Sequence, residues 1–590
     1  MTSVARVRIP VLIIGAGPSG LAASLLLQRY GVDALTVTRF GWTAHTPRAH
    51  HLNPRCMEVM RGLGLAGRLA ERAMPHEWLA NVTWCVSLAG QELGRLATYH
   101  QGGANGYRDF TPCDALNIQQ HIFEPVMAES LLERGGTILF NTECVSIEQD
   151  EQLVSARLRD RITGAETIVE ADYAIGADGA NSLIAGSLDL EFEGTEGWGA
   201  AVNIWIEADL ERFCAHRPGA LYWTNLPGSD FWIGSGVFVS VKPWGEWMVT
   251  LMYDPREGEI DTSPDVLKAR IRRLIGDDDV EITIKSVGKW QMNALYAKQY
   301  SRGRVFCIGD AVHRHSPAGG LGANTGVLDA HNLAWKLRMV LAGTADPALL
   351  ETYGSERQPI GRAVIERSMK SIGEFTLVAQ ALGYRPNQSE EEGRAELARL
   401  AAPDADGEKR RDALAEALRI QAYQFNAVGF ELGYRYETGA VCDVEPDWSN
   451  PDPDLRYIPN TAPGFALPHA WLVDRSGQRL STRDIATDGE FHLLTGPCGG
   501  DWVDFCEEIG RMHGLAIHAH RIGPGQEFED PYGGWRAIRG IGDSGCLLVR
   551  PDGHVGWRKT AIDEGSREAL RSVVMQLLGR VPAADYCQAA

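Results

Sequence analysis

Residues 10–38 constrain the architecture of this chain more than any other stretch. An apolar run, VLIIGAGPSG, ends in Gly15-Ala16-Gly17-Pro18-Ser19-Gly20. LAASLLLQRY follows with Leu21 and Leu25 on one helical face, Gly31 stops it, and ALTVT starts a second extended run. Strand, glycine turn, helix and strand in this order predict a βαβ unit that opens a parallel sheet. In that setting Gly15 permits the tight turn, Gly17 leaves room for a pyrophosphate and Gly20 lets the helix pack closely. The helix N-terminus around Ser19 presents N–H groups and the positive end of its dipole to phosphates. A second strand of this kind usually ends on an acidic residue that holds an adenosine ribose, but Thr38 and Arg39 stand there. Arg39 reads equally as a cation stacked on adenine or meeting a phosphate and as a solvated strand-end charge. This motif alone does not separate FAD from NAD.

The chain has 590 residues, enough for two to four compact domains. With 57 Lys+Arg against 77 Asp+Glu its formal charge is -20, which repels nucleic acid and anionic lipid. Cofactor phosphates must then be held locally. The 11 cysteines are scattered, with no CxxC pair and no Cys/His cluster at zinc spacing, so the expectation is a reducing cytoplasm, no disulfide framework and no metal. No apolar run reaches the roughly 18 residues of a membrane span, and the first residues do not read as a signal peptide.

Further along, residues 137–185, with TILFNTECVSIEQD, LVSARLRD and TIVEADYAIGADG, predict a small antiparallel sheet feeding one more buried strand. Residues 199–290 are strand-rich and aromatic and read as an open sheet over a pocket. Alternation lets only about half of Tyr222, Trp223, Phe231, Trp232 and Tyr253 face it. A helix is predicted from about Gly326 to Leu341, with helical text to about 435. The Pro/Asp-rich stretch 445–464 reads as a linker.

Two later segments, IGADGANS (175–182) and VFCIGDAVHRHSPAGGLGANTG (305–326), are far more specific than the first. In the second, a strand delivers Gly309 and Asp310 at its carboxyl end, where the carboxylate either accepts from a ribityl or ribose hydroxyl or caps a helix. Gly319 to Asn324 then open a helix whose dipole can stabilise a negatively charged flavin ring.

These three segments resemble those of the group A FAD-dependent aromatic hydroxylases, within them the 2,4-dichlorophenol 6-monooxygenase and phenol 2-monooxygenase type. TPRAHHLNPRCMEVMRGLGL (46–65), QQHIFEP (119–125), DAHNLAWKL (329–337), TYGSERQP (352–359) and ELGYRYETGA (431–440) extend the likeness over nearly the whole chain. The resemblance implies an α/β fold: a Rossmann-like FAD-binding domain of the p-hydroxybenzoate hydroxylase kind (1–80, 105–190 and 290–375) with an inserted antiparallel substrate sheet (81–104 and 191–289). A helical connection (376–440) and a C-terminal thioredoxin-like domain (441–590) complete it. That last domain lacks a CxxC, since Cys498 is followed by two glycines, and is assigned to packing or subunit contacts, with a homo-oligomer expected.

By motif, the resemblance places Arg48 at the FAD diphosphate, Gln120 at the cofactor edge, Asp178 near the nucleotide half and Asp310 at the ribityl chain, with Gly309, Gly320, Gly322 and Asn324 around the flavin. The chain departs from the family at Asn181 and Ala185, where arginine is common, and at Ser316-Pro317, where a proline pair is common. Only one dinucleotide fingerprint is present, so NADH or NADPH is expected as a transient co-substrate. The resemblance implies that it reduces FAD, that O2 adds to give a flavin C4a-hydroperoxide, and that this oxygenates a small phenolic ring. Ionising a phenol of pKa about 10 at pH 7 leaves a deficit of about 4 kcal/mol, which a base offsets in part. His50 is the candidate base, standing where phenol hydroxylase-like sequences present a carboxylate; His51 is the other histidine that could face the pocket, or His50 is simply a loop residue. Pro317 is placed by analogy to offer its carbonyl to the oxygen, and His313 and His315 are expected to be structural. Other readings are a tailoring oxygenase of a polyketide or hydroxypyridine ring, and a FAD-binding regulatory protein without turnover.

Overall fold

A computed structural model describes residues 5–79, 81–98, 107–228, 234–446 and 448–580. Five strands run parallel in one sheet, in the order Thr137–Leu139, Ala34–Val37, Ala5–Ile14, Glu166–Gly176, Val305–Cys307. Residues 11–14, 35–37, 174–176 and 305–307, where the strands run side by side, are buried, as a parallel sheet covered on both faces requires. The register sets Ile14 beside both Val37 and Gly176, and Gly176 beside Cys307. The three loops that begin at Gly15, Ala177 and Ile308 therefore leave the same edge. The expected antiparallel excursion is present: Thr142–Gln149 pairs with Val154–Asp160, which pairs with Glu166–Gly176 as it enters the parallel sheet.

A second, eight-stranded sheet carries the long strands Thr283–Ala297 and Phe192–Glu207 second and third from one edge and Asn81–Cys85 next to the other edge. Its two faces have different coverings. Val202, Ile204, Tyr222, Phe238 and Val249 pack under the helix Pro264–Ile275. Trp223, Val237 and Trp84 pack instead with Ile372 and Phe375 of the 34-residue helix Ala348–Ala381 and with Ala318 of the loop after Val305–Cys307. Tyr222 and Tyr253 thus belong to the side away from that loop and Trp223 to the side facing it, while Phe231 and Trp232 lie outside the described residues.

Helix Gly322–Leu341 begins one turn earlier than Gly326, because the glycines at 319 and 320 take positive φ (83° and 65°) and finish the turn before it. The segment 445–464 is irregular but is not a free linker. Trp448 packs on Phe465 with ring centroids 4.7 Å apart, Gly464 N–H donates to Val555 O at 2.8 Å, and Arg367 pairs with Asp454. The last domain has strand Phe491–Thr495, helix Gly500–His513 and a parallel strand Ile517–Arg521, then an antiparallel pair Cys546–Val549 and Val555–Lys559 and helix Ser566–Leu577. That order is thioredoxin-like.

Candidate functional site

The glycine turn is closed on one side and open on the other. A Cβ on Gly15, whose φ is +115°, would stand 2.1 Å from Ala177 O, and one on Gly20 would stand 1.9 Å from Gly15 O. A Cβ on Gly17 would meet nothing within 4 Å. A concavity bounded by backbone, at the N-terminus of helix Pro18–Arg29, is what a pyrophosphate fits. Ser19 also packs between helices. Its Oγ lies where a Cβ on Gly309 or Gly326 would come within 2.5 or 2.1 Å, so it wedges the first helix against helix Gly322–Leu341.

The other two loops flank this turn. Asp178 accepts from Ser182 Oγ at 2.5 Å and Ile184 N–H at 3.2 Å, capping the helix Leu183–Ser187, and burial raises its carboxyl above the usual range. Its backbone adjoins the turn, with its N 3.0 Å from where a Gly15 Cβ would be. Gly309 takes φ +62° and donates its N–H to Asp329 Oδ2 at 3.0 Å. That turn leaves Asp310 exposed, and among the described residues its carboxylate accepts no protein hydrogen bond. Arg39 is exposed beside Phe40, and Arg48 is exposed beside the buried Glu124. Glu124 accepts from Ala44 N–H at 2.6 Å and from the Gln120 amide at 2.5 Å, which orients Gln120 along the loop 44–49.

An open cradle, an unpartnered carboxylate at the next strand end and two exposed arginines fit a dinucleotide laid along the edge. Comparison with known proteins identifies it. Residues 8–368 match the FAD binding domain family, and residues 460–581 match the aromatic-ring hydroxylase C-terminal family. The chain is a FAD-dependent aromatic-ring hydroxylase by family. It is 42% identical over 575 residues to 2,4-dichlorophenol 6-monooxygenase of Cupriavidus pinatubonensis, covering 97% of this chain and 96% of that one. Phenol 2-monooxygenase of a Pseudomonas species is 36% identical, covering 96% and 92%. The crystal structure of the flavin-dependent monooxygenase PieE, in complex with FAD and substrate, superimposes with a TM-score of 0.93 at 43% identity, over 98% of this chain and all of that one (100%).

In this hydroxylase the loop 48–53 is stitched to the loop 319–324 by a single side chain. Asn324, 1% exposed, donates to His51 O at 2.9 Å and Gly320 O at 2.7 Å and accepts from Asn53 N–H at 2.9 Å. Its amide is occupied by protein, so Asn324 fixes the site's shape rather than offering a free polar group. Gly320 lies against His51, where a Cβ would come within 3.2 Å of the histidine Cβ. Pro317 O already accepts Gly320 N–H at 3.0 Å, leaving one lone pair. A Cβ on Gly322 would stand 3.4 Å from His315 Nε2, a buried atom with no protein partner.

His50 precedes the short strand His51–Leu52, which pairs with Leu116–Asn117. Its Nδ1 is 3.2 Å from Asn117 Oδ1, an acceptor, so a neutral ring donates from Nδ1 and keeps Nε2 as an acceptor. Burial first, and then the adjacent His51, lower its pKa to about 4, against the opposing Asn117 bond. The imidazole is therefore neutral at working pH but a weaker base than a free histidine.

Residues that hold the site from behind were not singled out by motif. Asp329, fully buried, accepts Gly309 N–H, His313 Nε2–H at 2.8 Å and Arg357 Nε–H at 2.8 Å. His313 is thus a structural histidine. Asp329 and Arg357 both fall in segments that carried the family likeness, DAHNLAWKL and TYGSERQP, but nothing in either marks them as partners across 28 positions.

Proposed function

We propose that this hydroxylase inserts one oxygen atom into a phenolic aromatic ring, consuming NAD(P)H and O2, with FAD held by the glycine turn, Arg39, Arg48, Gln120, Asp178, Asp310 and the backbone at Gly320–Gly322. FAD bound there supplies the electron transfer and the activation of dioxygen, one oxygen atom going to the ring and the other to water. The curated relatives that act on phenol and dichlorophenol support the substrate class.

The observation that carries the reading is the Asn324 stitch. It sets the His50–Leu52 segment against the N-terminal end of helix Gly322–Leu341, and Ala318, just before that end, packs with the sheet face that bears Trp223 and Val237. A ring in that space has an apolar ceiling, a positive helix end beside it and an imidazole acceptor within the same loop. Full proton transfer from a phenol of pKa about 10 to a histidine of pKa about 4 is uphill by about 8 kcal/mol. His50 therefore acts as a hydrogen-bond acceptor that orients the hydroxyl and shares its proton as the ring is attacked. The Pro317 carbonyl keeps a lone pair for a further donor at the reacting edge.

The test is aerobic NADH and NADPH oxidation by the purified, flavin-loaded protein across phenol, 2,4-dichlorophenol and hydroxypyridine, with product masses. Substrate-stimulated oxidation with a gain of one oxygen supports the reading. Tight FAD with no stimulation by any compound moves it to a FAD-binding protein without turnover. Ten free cysteines among the described residues, eight of them buried, support a reducing cytoplasm as its place. The C-terminal domain without a redox pair supports a homo-oligomer, which light scattering reads.

A further inference from the structure

One row of the second sheet lies on the face that packs with Ala318 of the loop after Val305–Cys307. Backbone register sets Gly288 beside Asn203, Asn203 beside Thr250, Thr250 beside Val237 and Val237 beside Trp223. Residues paired in this way point to one face. That face is the one towards the flavin loops, because Trp223 and Val237 pack with Ala318, while the opposite side carries Ile204 and Phe238 under the helix Pro264–Ile275.

Much of the face is apolar: Ala201, Val239 and Met252 flank the row, and Val237 lies within it. Asn203 and Thr250 are the exception. Thr250 Oγ1 donates to Asn203 Oδ1 at 2.9 Å, which fixes the amide and leaves Nδ2 with two N–H groups. Among the described residues no protein atom accepts from them, and Asn203 is only half-buried. Further along the row, Trp223 is 8% exposed and its Nε1 is also without an acceptor among the described residues. The unmatched polar groups of this row are therefore donors. A polar group placed on an apolar face costs free energy unless something completes its hydrogen bonds.

No residue of the row is charged. Lys285, further along the face, lies 4.2 Å over the Trp205 ring and is held by Glu207 and Glu246. A substrate carboxylate would lack a counter-charge here, whereas a neutral acceptor would not.

Resting on the phenol reading above, we propose that Asn203, held by Thr250, is a specificity residue that donates to a neutral acceptor on the substrate, a carbonyl oxygen or ring nitrogen remote from the hydroxyl that His50 orients. The natural substrate then carries an acceptor that a simple chlorophenol lacks.

The experiment titrates the oxidised, FAD-loaded enzyme with the three hydroxyacetophenones and the three matching ethylphenols, reading Kd from the flavin absorbance change. At least one hydroxyacetophenone is expected to bind about tenfold tighter than its ethylphenol, the worth of one well-placed hydrogen bond. In Asn203→Asp, which keeps the Thr250 bond but loses the donor, that ratio falls to about one. Thr250→Val, which frees the amide, lowers it in part. A ratio near one for all three isomers in the wild type, or a ratio retained in Asn203→Asp, overturns the proposal. Should Asn203→Asp not retain FAD, an undiminished ratio in Thr250→Val overturns it and a reduced one supports it. If no compound of either series perturbs the flavin, the phenol reading itself fails, a result distinct from equal binding of both series.

Discussion

Arg357 Nε donates to Asp329 Oδ1 at 2.8 Å, with both side chains fully buried, and the other oxygen of the same carboxylate holds Gly309 N–H and His313. The carboxylate lies below its usual pKa despite burial, because Arg357 and His313 face it. A turn at the end of a strand cannot hold Asp310 outward unless its own N–H is satisfied within. The ion pair does this for the Gly309–Asp310 turn, so a charge pair that touches no ligand sets the direction of one that is proposed to.

Replacing Arg357 with methionine leaves Asp329 buried without its cation, a change worth about 3–5 kcal/mol. Urea unfolding is expected to lose that much, and FAD is expected to be released on gel filtration. Asp329→Leu combined with Arg357→Met should recover part of the unfolding loss but not flavin retention, since Gly309 N–H stays unpaired. A single variant that costs less than about 1 kcal/mol would falsify the assignment.

The glycine turn offers a contrast between fold and ligand. Gly20→Ala drives a Cβ into Gly15 O, at 1.9 Å, and should yield little folded protein. Gly17→Ala meets nothing within 4 Å and should fold with unchanged thermal stability in the apo form. It fills the space assigned to the pyrophosphate, so FAD Kd should rise at least tenfold by fluorescence titration. Equal FAD affinity in Gly17→Ala would remove the pyrophosphate from that concavity.

What the sequence made legible was local. The βαβ opening, the Gly309–Asp310 turn and the helix after Gly319 each declare themselves within a few residues, and the sheet places all three at one edge. Partnerships set by folding were not legible. The Arg550 side chain of the C-terminal domain donates to both oxygens of Glu356, at 2.9 and 2.8 Å across 194 positions, and Lys336 completes the cluster. Alternation divided Tyr222 from Trp223, yet only the covering helices show which face is the site's. Asn324 lay in a flavin motif for a reason different from the one its motif suggested: its amide binds the loop 51–53.

Acid should weaken the fold between pH 6.5 and 4. Burial lowers His50, His331, His469 and His554 each to about 4. In that interval the unfolded chain binds protons that the folded chain refuses, so stability is full above 6.5 and falls as pH drops towards 4. The loss is at most about 1.4 kcal/mol per histidine per pH unit. Urea midpoints at pH 7, 5.5 and 4.5 should decline in order; a flat midpoint would mean that these rings are solvated.

Asn117 is the lever on the reacting group. Because its Oδ1 is neutral, the bond to His50 Nδ1 offsets little of the burial that keeps the imidazole near 4. The wild-type kcat/KM profile should then show no limb from His50 near neutrality, and His50→Gln should cost about tenfold, the loss of an orienting hydrogen bond, with the profile's shape kept. A carboxylate at the same place would favour the imidazolium and raise the His50 pKa towards neutrality. Asn117→Asp is therefore expected to add a limb to the pH profile that Asn117→Asp combined with His50→Gln lacks. In Asn117→Asp the neutral ring is lost on the acid side of that limb, so activity should fall as pH decreases through it. If the single and double variants have the same profile, His50 does not contact the substrate hydroxyl, and the acceptor must be sought at His51 or at the backbone of the 317–320 turn.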